Sequence, residues 1–287
     1  MGFRVNTNTD ALRAYYQLAK VNNDTTKAQM RLSSGKRIMS VADDTSGFNV
    51  GTSLKGKVAV MKGAQNNIAS AKNMLSTAEG GLLGVNDLLT KIEGKLSDAT
   101  NPTNDRNALG DDIEALANEI DSILKNTKFN NTNLFTGISD TSKGFTFQVG
   151  ESTDTLDLSF TNGIASSTTG EHALTSSVSQ FTSIADDAAG LASSTVVSGL
   201  NSSLATMKSA VQESLGSIGN LTQRLDIKDE TLNTSIANAE ASISRLFDAD
   251  MAMEQLNATR GSILQQAGTA MLAQLNFAPQ QVLQLFG

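Results

Sequence analysis

The side chains able to do chemistry are few in this sequence. One histidine, His172, stands beside Glu171 in a polar stretch. A catalytic base or metal ligand there would need partners that the surrounding residues do not supply, so it reads as a surface histidine. Asp43-Asp44 and Asp186-Asp187 could attract a cation, but a calcium loop needs oxygen donors at alternating positions. Capping of the helix that follows is the better use of these acids. Ser34-Gly35-Lys36-Arg37 looks like the end of a phosphate loop, yet Met30 occupies the place of its upstream glycine and no Ser or Thr follows the lysine. Gly80-Gly81 is too short for a dinucleotide loop. With no cysteine, disulfides, thiol catalysis and thiolate metal sites are all excluded. Methionines at helical spacing read as core filler. The expectation is a protein with no catalytic, metal or cofactor site, and therefore not an enzyme.

The elements that would carry such residues point elsewhere. The chain has 287 residues, 5% of them aromatic and 18% charged, which suits thin aliphatic seams between helices better than a thick globular core. A net charge of −7 gives no basic field for nucleic acid or anionic lipid. No run approaches the roughly 18 apolar residues that span a bilayer, so no membrane insertion is expected. The stretch from Met1 to Asn8 holds no apolar run with a cleavage site. If the protein leaves the cell, it is expected to do so without a cleaved signal.

Leu54, Met61, Ile68, Leu75, Leu82, Leu89 and Leu96 recur every seventh residue. Three positions after each stand Lys57, Ala64, Ala71, Ala78, Val85, Ile92 and Ala99. Large residues on one seam position and small or β-branched ones on the other predict a coiled-coil-like helix over about residues 42–99, roughly 85 Å long. A second such seam holds Ile218, Leu225, Leu232, Ala239, Leu246 and Met253. Residues 4–33 predict a further helix with too few apolar positions to offset its ordering entropy alone, hence disordered in the free monomer. Gly35 is placed to end it.

After a turn at Pro102, Leu109, Ile113, Leu116, Ile120 and Leu124 predict another helix. Beyond Asn130-Asn131-Thr132 the period changes to two: Phe145, Phe147 and Val149, then Leu156, Leu158 and Phe160 read as a β-hairpin. Residues 161–193 read as a short variable loop. In the last segment, Pro279 predicts a break, with the final turn forming a new short helix or an extended tail. The fold class is thus mainly α: an elongated coiled-coil-like helical bundle with a small β-hairpin region and paired N- and C-terminal helices. Both termini are expected at one end and the hairpin at the other.

The ends of the chain closely resemble bacterial flagellin. The N-terminal likeness runs through Asn6-Thr7-Asn8, Arg31-Leu32-Ser33-Ser34-Gly35-Lys36-Arg37-Ile38, Ala42-Asp43-Asp44-Thr45-Ser46-Gly47 and Thr77-Ala78-Glu79-Gly80. The C-terminal likeness runs through Ser214-Leu215-Gly216-Ser217-Ile218, Asp248-Ala249-Asp250, Ile263-Leu264-Gln265-Gln266-Ala267-Gly268-Thr269 and Pro279-Gln280-Gln281-Val282-Leu283. Together they cover about residues 3–160 and 195–286, with motifs in order at both ends.

This resemblance implies a structural subunit that self-assembles into the bacterial flagellar filament for motility. An inner domain, 1–40 plus 255–287, would fold on assembly, and an outer helical domain, 41–254, would carry the hairpin. The inner-core contacts it implies are Leu12, Leu18, Ile263, Leu264, Ala267, Met271, Leu275 and Val282. Arg31, Gly35, Arg37, Asp43, Asp44 and Gly47 are the candidates for the bend between domains or for inter-subunit contacts, with helix-end turn chemistry within one subunit weighed equally. Where receptor-active flagellins carry Gln-Arg-x-Arg-Glu-Leu-Ala, this chain has Thr90-Lys91-Ile92-Glu93-Gly94-Lys95-Leu96. Lys91, Glu93 and Lys95 therefore form a candidate innate-receptor surface, and weak recognition is predicted. The implied partners are further copies of the chain, an export chaperone and export apparatus, and the filament cap and hook-junction proteins. The implied location is an extracellular flagellum, or a periplasmic one. The alternatives are a hook–filament junction or accessory flagellar protein, an enzyme in the Ser/Thr-rich middle, and an exported helical adhesin or secretion-tip protein.

Overall fold

The computed structural model describes residues 8–101, 103–135, 145–151, 154–158, 178, 181, 191 and 194–286, with side chains as far as 277. Among these residues the elements are α1 (Thr9–Ser34), α2 (Thr45–Ala99), α3 (Arg106–Asn126), β1 (Lys128–Phe129), β2 (Thr132–Asn133), β3 (Phe145–Gln148), β4 (Thr155–Leu158), α4 (Ser194–Phe247) and α5 (Met251–Phe286). They fall into two compact units, one from 59–236 and one from 1–58 with 237–287. Phe160, His172, Asp186, Asp187 and most of the 161–193 loop lie outside the described residues.

The unit 59–236 is built on the seam of α2. Ile68, Leu75, Leu82, Leu89 and Leu96 are fully buried, as are Ala71, Ala78, Val85 and Ile92 at the companion positions. Facing them, α3 buries Ile113, Ala117, Ile120 and Leu124, and α4 buries Leu204, Met207, Val211, Ile218 and Leu225. Each fully buried aliphatic of this size contributes roughly 1.5–3 kcal/mol. Polar pairs along the rim fix α2 and α4 antiparallel. Gln65 Nε2 donates to Asn233 Oδ1 at 2.7 Å, Lys72 Nζ lies 2.8 Å from Asp226 and 3.3 Å from Asp229, and Lys208 Nζ lies 2.6 Å from Glu93. The Asp226 hydrogen bond holds the Lys72 ammonium above its usual range; partial burial opposes this and Asp229 adds to it. Exposed pairs of this kind contribute only about 0–1 kcal/mol each, so their effect here is register more than stability.

The hairpin falls where the alternation places it. Phe145 pairs with Leu158 and Phe147 with Leu156, antiparallel. It is tied down by Asn67 Nδ2, which donates to the Gln148 carbonyl at 3.1 Å, and by Lys228 Nζ, 2.5 Å from Asp154. A second, two-residue hairpin was not expected: Lys128 pairs with Asn133 and Phe129 with Thr132. Its turn residues Asn130 and Asn131 have φ of 47° and 63°, the left-handed pair that a two-residue hairpin loop requires.

The α2 helix begins three residues later than expected and, at 55 residues, is about 80 Å long. The second heptad series does not run through to Met253. The helix breaks at 248–250, and Met253, on the next helix, is exposed. Asp250 starts that helix by accepting from the Ala252 and Met253 amides at 3.0 and 3.2 Å. The expected break at Pro279 is corrected too, because α5 continues through it to Phe286. None of the described helices is long and apolar enough to cross a membrane, and no group of His, Cys, Asp and Glu among the described residues could hold a metal ion.

Candidate functional site

The unit of 1–58 and 237–287 holds nearly all the sequence-predicted site residues. Its main feature is the antiparallel pair α1 and α5. Asn8 caps α1, its Oδ1 accepting from the Ala11 amide at 3.0 Å, and Gly35 ends it at φ 67° with its amide on the Arg31 carbonyl at 2.8 Å. Along the pair, contacts recur about every seven residues of α5. Glu254, in the first turn of α5, is buried against Arg31 of the last turn of α1, with Oε1 to Nη1 at 3.3 Å. Each charge complements the dipole of its own helix end. Next, Gly261 receives Thr25, then Gly268 receives Leu18, and finally the Leu275 carbonyl accepts from Asn8 Nδ2 at 3.0 Å.

The buried strip between these helices is narrow. In α1 only Thr25 and Ala28 are buried, while Leu12, Tyr15, Tyr16 and Met30 are exposed. In α5, Leu256, Ile263, Leu264, Met271 and Phe277 are exposed as well, Ile263 at 61% and Met271 at 60%. Burying one such side chain contributes about 1.5–3 kcal/mol, and this pair leaves most of that unused. Large apolar side chains thus stay exposed along both helices of the pair.

Of the proposed inner-core residues, Leu12, Ile263, Leu264, Ala267 and Met271 are exposed in the single chain. Leu18 is half-buried against Gly268 and Leu275 is half-buried beside Asn8. The Val282 side chain lies outside the described residues.

The second group meets at the turn that joins the helix ends. The Arg37 amide donates to the Phe247 carbonyl at 2.6 Å and its Nη2 to the Leu246 carbonyl at 2.9 Å, placing a cation on the last turn of α4. The Ala249 amide donates to the Gly35 carbonyl at 2.9 Å, and the backbones of Lys36 and Asp248 form an isolated antiparallel β-bridge. Asp43 Oδ2 accepts from the Met39 and Ser40 amides at 3.1 and 3.0 Å. The Ser40 amide and then the Met39 amide hold its carboxyl below the usual range. Asp44 Oδ1 accepts from the Gly47 amide at 2.9 Å at the start of α2. A side chain on Gly47 would collide with Asp44 and Ile38. All six residues thus make turn or helix-end contacts within the chain.

Sequence reasoning missed Asn8, Thr25, Gly261 and Gly268, although two glycines seven apart inside a helix are a visible sign of close backbone approach. It also missed Phe247, whose ring fills the place a Gly51 Cβ would take, with Phe48 edge-on at 6.1 Å and Lys55 Nζ 3.9 Å over its centre. In the other unit, Glu93 pairs with Lys208 and Lys95 with Asp112 at 2.6 Å, while Lys91 is exposed.

Two family descriptions match the chain: the bacterial flagellin N-terminal helical region over residues 5–140 and the bacterial flagellin C-terminal helical region over 202–286. The chain is 31% identical to the flagellin of Bacillus subtilis (strain 168) over 98% of its own length and 99% of that protein. It is 27% identical to the flagellar filament 33 kDa core protein of Treponema phagedenis, with the same coverage. Its fold is also similar to that of a solved protein assigned to the flagellar hook-associated class, from Vibrio parahaemolyticus. The TM-score is 0.58 at 17% identity, covering 72% of this chain and all of that one.

Proposed function

Since the chain belongs to the bacterial flagellin family and is a structural subunit of the flagellar filament, we propose that α1 and α5 are its assembly switch. In the free monomer the inner segments, 1–40 and 255–287, are disordered; they fold as neighbouring copies cover Leu12, Ile263, Leu264, Ala267, Met271 and Val282. The single observation that supports this is the balance of burial in the α1–α5 pair: α1 buries only Thr25 and Ala28, while Leu12, Tyr15, Tyr16, Leu256, Ile263, Leu264 and Met271 stay exposed. Ordering on association consumes part of the contact energy and so suppresses assembly away from a growing end. Heterologous contacts that do not close as a ring extend into an open helix.

Flagellins are in general structural and not enzymatic, and no reaction is assigned to this chain. Within the same reading its partners are an export chaperone, the export apparatus, the filament cap and hook-junction proteins. Arg31, Gly35, Arg37, Asp43, Asp44 and Gly47 form the bend at the inner-to-outer boundary.

Electron microscopy of the purified chain with and without filament seeds, beside a variant lacking 1–35 and 255–287, tests the switch. Only the full-length chain is expected to grow filaments. Growth of the shortened chain would remove the terminal helices from assembly. Full-length chain that stays monomeric on seeds would favour the junction or accessory alternative.

A weak response through an innate receptor is proposed for the surface at Lys91, Glu93 and Lys95. Glu93 and Lys95 are engaged by Lys208 and Asp112, which leaves them less available to a partner. A full-strength response in a receptor-activation assay would contradict this.

A further inference from the structure

The continuation of α5 through Pro279 needs a physical cause. A proline has no amide hydrogen, so in an α-helix the carbonyl four residues earlier loses its donor. Here that carbonyl belongs to Leu275, and it is the one that accepts from Asn8 Nδ2 at 3.0 Å. The same asparagine uses its other side-chain atom, Oδ1, to cap α1 through the Ala11 amide at 3.0 Å. Asn8 is half-buried at this junction, which limits replacement of the lost donor by water.

We infer that Asn8 is a positioning residue that couples the start of α1 to the last turns of α5: by supplying the donor that Pro279 lacks, it keeps residues 276–286 helical when the termini are paired. An amide side chain is suited to both tasks at once, because it carries an acceptor and a donor on one planar group. A hydroxyl or carboxylate can cap a helix equally well but offers no amide N–H beyond the cap. One consequence is directional. The C-terminal turns become ordered only when the N-terminal helix is docked, so a chain with a single terminus in place presents an incomplete assembly surface. The consequence for assembly rests on the switch proposed above, whereas the hydrogen bond itself does not.

The test is a two-by-two set of full-length chains: wild type, Asn8→Ser, Pro279→Ala, and both together. Serine keeps the cap, and alanine at 279 restores an intrahelical donor for Leu275. The readouts are hydrogen exchange of the 276–286 amides in assembled filaments and the critical concentration for seeded growth. Asn8→Ser alone is expected to speed exchange there at least tenfold and raise the critical concentration. In the Pro279→Ala background the same change is expected to alter either value by less than twofold. Equal effects of Asn8→Ser in both backgrounds, or no effect in the wild type, would overturn the inference, as would failure of the double variant to grow where Pro279→Ala alone grows. Should the wild type itself not grow on seeds, the assembly reading fails; 276–286 amides that are nonetheless protected in the monomer and lose that protection in Asn8→Ser would uphold the role of Asn8, and unprotected amides there would overturn it as well.

Discussion

Gly261→Leu is expected to abolish filament growth while leaving the unit 59–236 folded. Gly261 is buried where α5 crosses Thr25 of α1. A Cβ added there would overlap the Thr25 hydroxyl and come within 3.0 Å of Thr25 Cβ and 3.2 Å of its Cγ2. The threonine has little freedom to retreat, because it is buried and its hydroxyl donates to the Val21 carbonyl at 2.7 Å. Even alanine would overpack this crossing, at about 1–3 kcal/mol, and leucine must separate the helices. Every 1.4 kcal/mol is a tenfold change in an association constant, so Gly261→Ala should raise the critical concentration roughly 5- to 150-fold and Gly261→Leu beyond measurement. Gly268→Ala is expected to be milder, since the nearest atom to its Cβ is the flexible end of Leu18 at 3.0 Å. Seeded growth with the critical concentration read by sedimentation checks the series. Wild-type growth by Gly261→Leu would mean that the close α1–α5 crossing is absent from the assembled subunit.

Gly51→Ala and Gly56→Ala, five residues apart on α2, are expected to shift stability in opposite directions. Replacing a helix-interior glycine with alanine gains about 0.5–1 kcal/mol when the space is open. Around Gly56 it is open, with nothing within 4 Å of an added Cβ. At Gly51 the added carbon would overlap the Phe247 ring, which is itself buried and held by Phe48 and Lys55. Overpacking of about 1–3 kcal/mol then outweighs the propensity gain. Denaturant unfolding should show the midpoint falling for Gly51→Ala and rising for Gly56→Ala, with Phe247→Leu recovering part of the loss in the Gly51→Ala chain. A raised midpoint for Gly51→Ala would show that the ring does not occupy that notch.

Residues whose environment is set by their own helix were the most legible. The heptad positions from Met61 to Leu96 are buried because a helix packed against others returns a residue to the same face every seven positions, and that period is written in residue size alone. The hairpin at Phe145–Gln148 and Thr155–Leu158 was legible for the same reason at period two. The small hairpin at 128–133 had a signal, Asn130-Asn131, that supports positive φ, but its strands of two residues carry no alternation to read. Of the two acids read as caps of the following helix, Asp44 accepts from the Gly47 amide at its start, whereas Asp43 accepts instead from the preceding Met39 and Ser40 amides; each bond involves only residues three or four positions away.

The sequence by itself determined a helical chain with two long aliphatic seams, marginal terminal helices, a polar middle and flagellin-like motifs at both ends. Each of those features depends on residue type and short spacing. Tertiary structure alone decided where α1 meets α5, and with it the roles of Gly261, Gly268 and Asn8. It also decided that Phe247 lies in the notch at Gly51, and that a helix runs through Pro279. Those outcomes depend on the register between segments roughly 200 residues or more apart in sequence. Local propensity makes Pro279 a stop, and a side-chain donor 267 residues away from Leu275 reverses it. The physical reason is that a steric notch or an orphaned carbonyl has no meaning until a second helix is placed against it.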